Sequence, residues 1–325
     1  MKKEKYEKYK KDIESILDES SKDKIEQPKK ENHFVWAFYL KGWINSGGTQ
    51  IAWLEKRKKL EMRNPDSVAK ERYFYKIKEM NDIDKKIVCD IIATKPQHIR
   101  QCMLDAVMEL QRIFIWEKFS CNEKLLKVVD KRKKEDLENI HTKIEANSEK
   151  YLRKLREGNY EFLNNKDDKE TFYEFIAWQL LRTKKFQDQM SVALRQNREV
   201  FEQGCYQCFN EDAVVQAWAV CEAIDKADEW KTDNYNVQII ENGTLLNFIT
   251  GDAPVAGLGL AERKSRIYYP VSPKLAILIS KEVNHLNIVK ANIDTIKIYN
   301  DEIVKSHHEQ LYASNLIDLF EYIVN

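Results

Sequence analysis

Residues 32–40 read NHFVWAFYL and form the most aromatic stretch of the chain, with four aromatic side chains in nine residues. This density predicts a buried segment, because aromatic side chains dominate protein cores. Ser46-Gly47-Gly48 follows as a turn, and residues 49–54 (TQIAWL) are typical of a strand that leaves it. The N-terminal part of the chain is therefore predicted to contribute strands to a buried sheet.

The last third of the chain has the pattern of strands as well. Strands are predicted over residues 237–240 and 244–249, on either side of Asn242-Gly243, the strongest short signal for a hairpin turn. The remaining predicted elements are strands at 266–269, 275–279 and 295–299 and a helix from Glu302 onwards.

Between these strand-rich ends, residues 83–232 carry the spacing of helices. Over residues 99–114 apolar side chains recur every three or four positions, which gives one apolar stripe. Residues 125–155 are heavily charged, and the basic run at 131–134 is followed at once by acidic residues. Mixed signs at helical spacing indicate a solvated helix face with local ion pairs, and a nucleic-acid-binding patch is the alternative interpretation.

These patterns predict an α+β fold with an antiparallel sheet built from the N- and C-terminal segments of the chain. A large helical insertion, at about residues 83–232, separates the two sets of strands. Residues 31–325 are predicted to form a single domain, because the sheet needs both ends of the chain. Residues 1–30, almost all charged or polar, are predicted to form a charged helical leader.

Composition restricts the classes of protein to which the chain can belong. Lys and Arg number 54, Asp and Glu number 53, and the net charge of +1 gives no global attraction to nucleic acid or anionic lipid. We expect a cytoplasmic protein without a membrane partner, because neither a signal peptide nor a membrane-spanning apolar run is recognisable. Cys205 and Cys208 have the spacing of zinc ligands, but without a second close pair we interpret them as buried thiols.

Three segments resemble a bacterial family known as a domain of unknown function, DUF4238. Residues 32–41 (NHFVWAFYLK) resemble its opening motif, except that Trp36 stands where proline is usual. Residues 248–255 (FITGDAPV) and 269–273 (YPVSP) are similar to two later motifs, and order and spacing agree from about residue 31 to 315. Weaker similarities surround Glu145 and Arg182. The resemblance implies no established activity, and members are suspected of roles in bacterial conflict or phage defence.

Five polar residues in or near these motifs are the candidate catalytic site. In this hypothesis Asp252 and Glu145 hold a divalent metal ion, Mg²⁺ or Mn²⁺, and His33 is the general base. Arg182 holds the scissile phosphate of a nucleic acid, and Asn32 lies beside His33. Structural roles are the alternative for each residue. His33 can bond to a backbone carbonyl, Asp252 can shape a turn and Glu145 can be an exposed helix charge. Arg182 can pair with Glu174 or Asp188, on or near its own helix.

Two functions of different class are consistent with these residues. The first is a toxin-like nuclease effector of phage defence that acts on RNA or DNA and is held in check by a regulatory protein partner. It requires His33, Asp252 and Glu145 to converge in one cleft. The second is a non-catalytic sensor or protein-interaction module, in which these residues are separated and each is satisfied locally.

Overall fold

The computed structural model of the protein describes residue 11 and residues 14–22, 26–45, 47–119, 122–196, 209–258 and 266–323. Helices longer than ten residues are labelled α1 to α7. They span Asp82–Ala93 (α1), Gln97–Phe119 (α2), Glu123–Arg156 (α3), Lys166–Leu181 (α4), Lys184–Gln196 (α5), Glu211–Thr232 (α6) and Ile293–Ser306 (α7). Short helical turns lie at Ala37–Leu40, Lys41–Trp43, Pro65–Ser67, Glu161–Asn164 and Ile317–Phe320.

The strands come from the two ends of the chain. They are Glu31–His33 (β1), Ile51–Glu55 (β2), Lys59–Arg63 (β3), Lys70–Arg72 (β4), Asn236–Asn242 (β5), Thr250–Gly251 (β6), Ala256–Leu258 (β7), Arg266–Ser272 (β8), Leu275–Ser280 (β9), Asn287–Ala291 (β10) and Gln310–Ala313 (β11).

The described strands form three sheets. A four-stranded sheet, in the order β3-β2-β11-β6, pairs N-terminal with C-terminal strands, and all its pairings are antiparallel. A five-stranded sheet, in the order β10-β5-β9-β8-β7, is C-terminal throughout and contains one parallel pair, β10 with β5. Strands β1 and β4 form a separate antiparallel pair. The predicted α+β class, with antiparallel sheets and a large helical region in the middle, is confirmed, with the strands shared among three sheets.

Asparagine residues start most of the long helices. The side-chain oxygen of each accepts a hydrogen bond from a backbone N–H group of the first turn, which would otherwise have no partner. These N-cap residues are Asn81 (α1), Asn122 (α3), Asn165 (α4), Asn210 (α6) and Asn292 (α7). The helix boundaries in the middle of the chain therefore have a local cause in the sequence.

The aromatic stretch at 32–40 connects the N-terminal segment to the C-terminal sheet. Tyr39 is fully buried, and its ring stacks on Tyr269 of β8 with ring centroids 4.9 Å apart. The Tyr39 hydroxyl hydrogen-bonds to Thr250 Oγ1 at 2.7 Å and donates to the Pro270 carbonyl at 2.9 Å. A large buried aromatic side chain with a satisfied hydroxyl stabilises this junction through apolar burial without leaving an unpaired polar group.

Three of the predicted C-terminal elements are wrong. The helix predicted from Glu302 onwards ends at Ser306, and Gln310–Ala313 form strand β11. Residues 295–299 belong to α7 and not to a strand. Asn292 caps this helix, and Ile296, Asn300 and Ile303 bury one helical face, so the short alternation of apolar residues is part of a period of 3.6. The alternation over five residues was too short to distinguish the two periods.

The predicted hairpin at Asn242-Gly243 is not formed. Gly243 does not adopt the positive φ that a type I′ turn requires. Instead, the Asn242 carboxamide accepts hydrogen bonds from the backbone N–H and the hydroxyl of Thr244, both at 2.9 Å, and donates to the carbonyls of Leu246 and Pro273. These side-chain bonds turn the chain away from β5, and the next strand, β6, pairs with β11.

The basic run at 131–134 lies on α3 and is paired with acidic side chains. Lys131 Nζ lies 2.6 Å from Glu19, on a helical segment over residues 14–21, and Arg132 also contacts Glu19. Lys133 pairs with Glu117 of α2 at 2.7 Å. These pairs join α3 to neighbouring helical segments, whereas Lys134 pairs with Asp130 on the same helix, as the local pattern predicted. No helix among the described residues is long and apolar enough to cross a membrane.

Gly42 provides a test of how the N-terminal segment packs on α3. The Arg156 guanidinium donates to the carbonyls of Tyr39 at 2.7 Å and Val271 at 3.2 Å, and it lies directly over Gly42. A Cβ atom at position 42 would lie 2.7 Å from Arg156 Cζ. We predict that Gly42→Ala lowers the free energy of unfolding by about 1–3 kcal/mol, because it pushes a bonded guanidinium out of place.

The measurement is urea unfolding followed by circular dichroism. Gly243→Ala is the matched control, because a Cβ atom there meets nothing within 4 Å. Equal midpoints for the two variants would contradict the proposed role of the Arg156 contacts.

Candidate functional site

Arg182, at the C-terminal end of α4, is the centre of a buried polar cluster. Its side chain is only 1% exposed. The guanidinium donates hydrogen bonds to Glu145 of α3, to the His33 backbone carbonyl and, over 2.8 Å, to the Tyr75 hydroxyl. Three of the predicted site residues, His33, Glu145 and Arg182, therefore meet, although His33 contributes its backbone and not its ring.

Glu145 is buried in contact with Arg182. Its side chain is 10% exposed, so the alternative of an exposed helix charge is wrong. Burial raises the pKa of Glu145, and the Arg182 guanidinium opposes that increase. The ion pair joins α3 to the end of α4, so the acidic partner of Arg182 comes from another helix and not from its own. Removing one member would leave a buried unpaired charge, which is strongly destabilising.

Two further residues of α3 extend the cluster, and the sequence patterns did not single out either of them. Glu138 and His141 precede Glu145 by seven and four positions, so all three lie on one helix face. The His141 ring packs against Tyr75, with centroids 4.4 Å apart, and its buried Nδ1 atom has no hydrogen-bond partner among the described residues. Burial lowers the pKa of His141 well below its ordinary value. The sequence signal for these two residues is their spacing from Glu145, which places positions 138, 141 and 145 on one face of the helix.

His33 and Asn32 have structural contacts. The half-buried His33 ring lies with Nε2 3.3 Å from the Asp66 carbonyl, which matches the alternative of a ring bonded to the backbone. Burial, with the nearby Lys70, lowers the pKa of His33. Asn32 is fully buried, and its Oδ1 atom accepts a hydrogen bond from the Tyr75 backbone N–H at 3.4 Å.

Asp252 lies between β6 and β7 and is buried separately from this cluster. Its Oδ1 atom accepts from the backbone N–H of His308 at 2.7 Å, and its Oδ2 atom accepts from those of Glu309 at 2.8 Å and Gln310 at 2.9 Å. Burial raises the pKa of Asp252, and the three N–H groups oppose that increase. The carboxylate therefore fixes the turn that leads into β11.

The predicted metal pair, Asp252 with Glu145, has no shared site in the structure. Glu145 is bonded to Arg182, and both oxygens of Asp252 are occupied by backbone N–H groups. Within the described ranges no three His, Cys, Asp or Glu side chains lie close enough together to hold a metal ion. The residues present do not fit Mg²⁺ or Mn²⁺, which require several free oxygen ligands. Cys205 and Cys208 lie outside the described residues.

A cavity of about 540 Å³ is lined by chain neighbours of both buried charges. Its walls come from the α4–α5 junction, α6, the loop after β6 and the end of α7. Leu181 and Thr183, on either side of Arg182, line the cavity, and so does Ala253, which follows Asp252. Its size is in the range of sites that hold small molecules. Arg182 and Asp252 are therefore adjacent in sequence to residues of the cavity wall.

We predict that Asp252→Asn lowers the free energy of unfolding by about 2–4 kcal/mol. An amide group in place of a carboxylate oxygen turns a donor towards the backbone N–H groups of residues 308–310 and leaves buried donors unpaired. Chemical unfolding measures the change, with Asp294→Asn, at an exposed position in the first turn of α7, as the matched control. A wild-type midpoint for Asp252→Asn would rule out this anchoring role.

Glu138 predicts a dependence of stability on pH. Burial raises the pKa of Glu138 to about 7, with Glu145 acting in the same direction and Arg182 and Lys29 opposing it. Between pH 5 and 8 the unfolded carboxyl ionises before the folded one, so the contribution of Glu138 to stability falls as pH rises. We predict that, as pH rises over this range, the free energy of unfolding of Glu138→Gln increases by about 1–3 kcal/mol relative to that of wild type.

The measurement is the difference in free energy of unfolding between the variant and wild type at pH 5, 6, 7 and 8. Histidine titrations are common to both proteins and cancel in the difference. Glu161→Gln removes an exposed carboxylate and is the control. A difference that is constant with pH would contradict the raised pKa.

Comparison with known proteins identifies the family of the chain. The family described as "Protein of unknown function (DUF4238)" matches residues 31–315, which is most of the chain and agrees with the resemblance of the sequence motifs. No curated protein and no solved structure matches the chain. The chain therefore belongs to the DUF4238 family of proteins of unknown function.

Proposed function

We propose that the protein is a non-catalytic binding module that holds a small ligand in the cavity between α4, α5, α6 and α7. This is the sensor alternative that the sequence left open, with the cavity as the sensing site. The observation that carries the proposal is that three lining residues, Leu181, Thr183 and Ala253, are immediate chain neighbours of the buried charges of Arg182 and Asp252.

The contacts of Arg182 support a structural role over a catalytic one. Its side chain is 1% exposed, and its nitrogen atoms bond to Glu145, Tyr75 and the His33 carbonyl. A guanidinium that steadies a scissile phosphate must reach the substrate with free N–H groups. In its present position it instead fixes the α4–α5 junction, so Leu181 and Thr183 are presented to the cavity.

Asp252 supports the proposal in the same way from the opposite wall. Its three backbone hydrogen bonds hold the loop after β6 against the start of β11. The residues that follow it, Ala253 and Val255, line the cavity. A rigid wall lowers the entropic cost of ordering a site when a ligand binds. We therefore interpret residues 248–255 (FITGDAPV) as a motif whose role is to shape the binding cavity.

The other inferences from the sequence stay predictions. They are nuclease activity on RNA or DNA, a role in phage defence, a regulatory protein partner and a cytoplasmic location.

The cavity is tested with Nile red, an uncharged dye whose emission rises in apolar surroundings. Gln189→Trp places a large side chain at an exposed position that lines the cavity. We predict that wild type binds the dye and that Gln189→Trp binds it at least about tenfold more weakly, because the volume is filled. Gln97→Trp, at an exposed position on α2, is the matched control and should bind as wild type does.

The nuclease alternative is tested in parallel. Purified protein is incubated with labelled tRNA, single-stranded DNA and duplex DNA in the presence of Mg²⁺ or Mn²⁺. No cleavage, together with dye binding that depends on position 189, supports the proposal. Cleavage that is lost in Asp252→Asn at an unchanged melting temperature, or dye binding that Gln189→Trp leaves intact, would overturn it.

A further inference from the structure

Three side chains that line the cavity lack one kind of contact among the described residues: an ion pair with a carboxylate in one case and a contact with another aromatic ring in two. They are the ammonium group of Lys185 and the rings of Phe186 and Trp218. We propose that the ligand of this cavity is an aromatic anion, with a planar ring system against Phe186 and Trp218 and an anionic group at Lys185. The inference rests on the proposed binding function and specifies its ligand class.

Lys185 supplies the unbalanced positive charge. The other two lysines of the lining are paired, Lys226 with Glu229 and Lys305 with Glu302, both at 2.7 Å. Lys185 pairs with no carboxylate in the part of the chain that is described, and its Nζ atom lies 3.5 Å from the His307 carbonyl, at the limit of a hydrogen bond. An anionic ligand group would give this ammonium a charge-assisted hydrogen bond.

The acidic residues of the lining do not favour a cation. Glu222 contacts Lys95 and accepts a hydrogen bond from Trp218 Nε1 at 2.8 Å. Glu229 and Glu302 are the partners of lysines in the same walls. Each carboxylate of the lining is therefore neutralised by a neighbouring cation, and the remaining charge in the cavity is positive.

The two rings favour a planar apolar group. Phe186 and Trp218 are half-buried, and across the described ranges neither contacts another aromatic ring. In the core, by contrast, rings such as Tyr39 and Tyr269 stack on each other. Aromatic side chains gain free energy from ring contacts beyond the burial of area, so two unstacked rings beside one cavity provide surfaces for an aromatic ligand.

The volume of the cavity is consistent with an aromatic anion as the ligand. A cavity of about 540 Å³ accommodates a fused ring system with a substituent, and most of its lining is apolar. The anionic group can be a carboxylate or a phosphate, because an ammonium group recognises either as a point charge. A carboxylate ligand and a phosphate ligand would make the same contact with Lys185, and the displacement experiment below distinguishes them.

The test compares two dyes that differ only in the anionic group. They are 1-anilinonaphthalene-8-sulfonate and the uncharged N-phenyl-1-naphthylamine, and binding of each is measured by fluorescence titration. We expect Lys185→Gln to weaken binding of the sulfonate dye about tenfold and to leave binding of the neutral dye unchanged. Lys290→Gln, at an exposed position on β10, is the matched control and should affect neither dye.

Phe186→Leu tests the ring contact while an apolar side chain is kept. It should weaken both dyes several-fold and leave the melting temperature within the range of the control variants. Displacement of the bound sulfonate dye by indole-3-acetate indicates a carboxylate ligand, and displacement by adenosine 5′-monophosphate indicates a phosphate ligand.

The outcomes separate this inference from the proposed function. Suppose that Gln189→Trp weakens the binding of Nile red, but that Lys185→Gln changes the binding of the sulfonate dye and of the neutral dye equally, or changes neither. The anionic assignment is then wrong and the binding function stands. If Phe186→Leu leaves both dyes unaffected, the aromatic assignment is wrong. If no dye binds wild type more tightly than Gln189→Trp, both the ligand class and the binding function are overturned.

Discussion

The buried guanidinium of Arg182 is the constraint on which the arrangement of the helices and the N-terminal segment depends. A charge removed from water must be paired and hydrogen-bonded, or the folded state loses several kcal/mol. Glu145 of α3, the Tyr75 hydroxyl and the His33 carbonyl meet this requirement together. Because the three partners come from separate parts of the chain, the positions of α3, α4 and the first strand are fixed relative to one another by one side chain.

Asp252 imposes a second constraint of the same kind on the four-stranded sheet. Its carboxylate is satisfied only where three successive backbone N–H groups, those of residues 308–310, point at it. That arrangement defines where β11 begins, and β11 is the strand that joins the N-terminal hairpin of β2 and β3 to β6. The two buried charges therefore help to determine how both ends of the chain meet, and chain neighbours of each charge line the cavity.

The sequence could predict what depends on local pattern. The helical middle follows from apolar spacing and from asparagine caps, and strands β2, β5, β8 and β9 follow from short apolar runs bounded by turns. It could not decide whether residues 295–299 form a strand or a helix, because five residues fit both periods. Nor could it find the partner of Arg182, since Glu145 lies 37 positions away on a helix with many other acidic residues. Pairing over such distances is determined by tertiary packing.

Polar residues within an apolar motif can be catalytic or can hold the fold together. Both roles give the same sequence pattern, because each needs a polar group in a specific buried environment. The structure shows which of these polar atoms already have partners within the chain. Arg182, Glu145 and Asp252 have theirs within the chain. Lys185, outside the quoted motifs, has no carboxylate partner among the described residues and lines a cavity. A group left unpaired beside a cavity gains more from a ligand than one already satisfied, so the functional residues are expected next to the motifs and not within them.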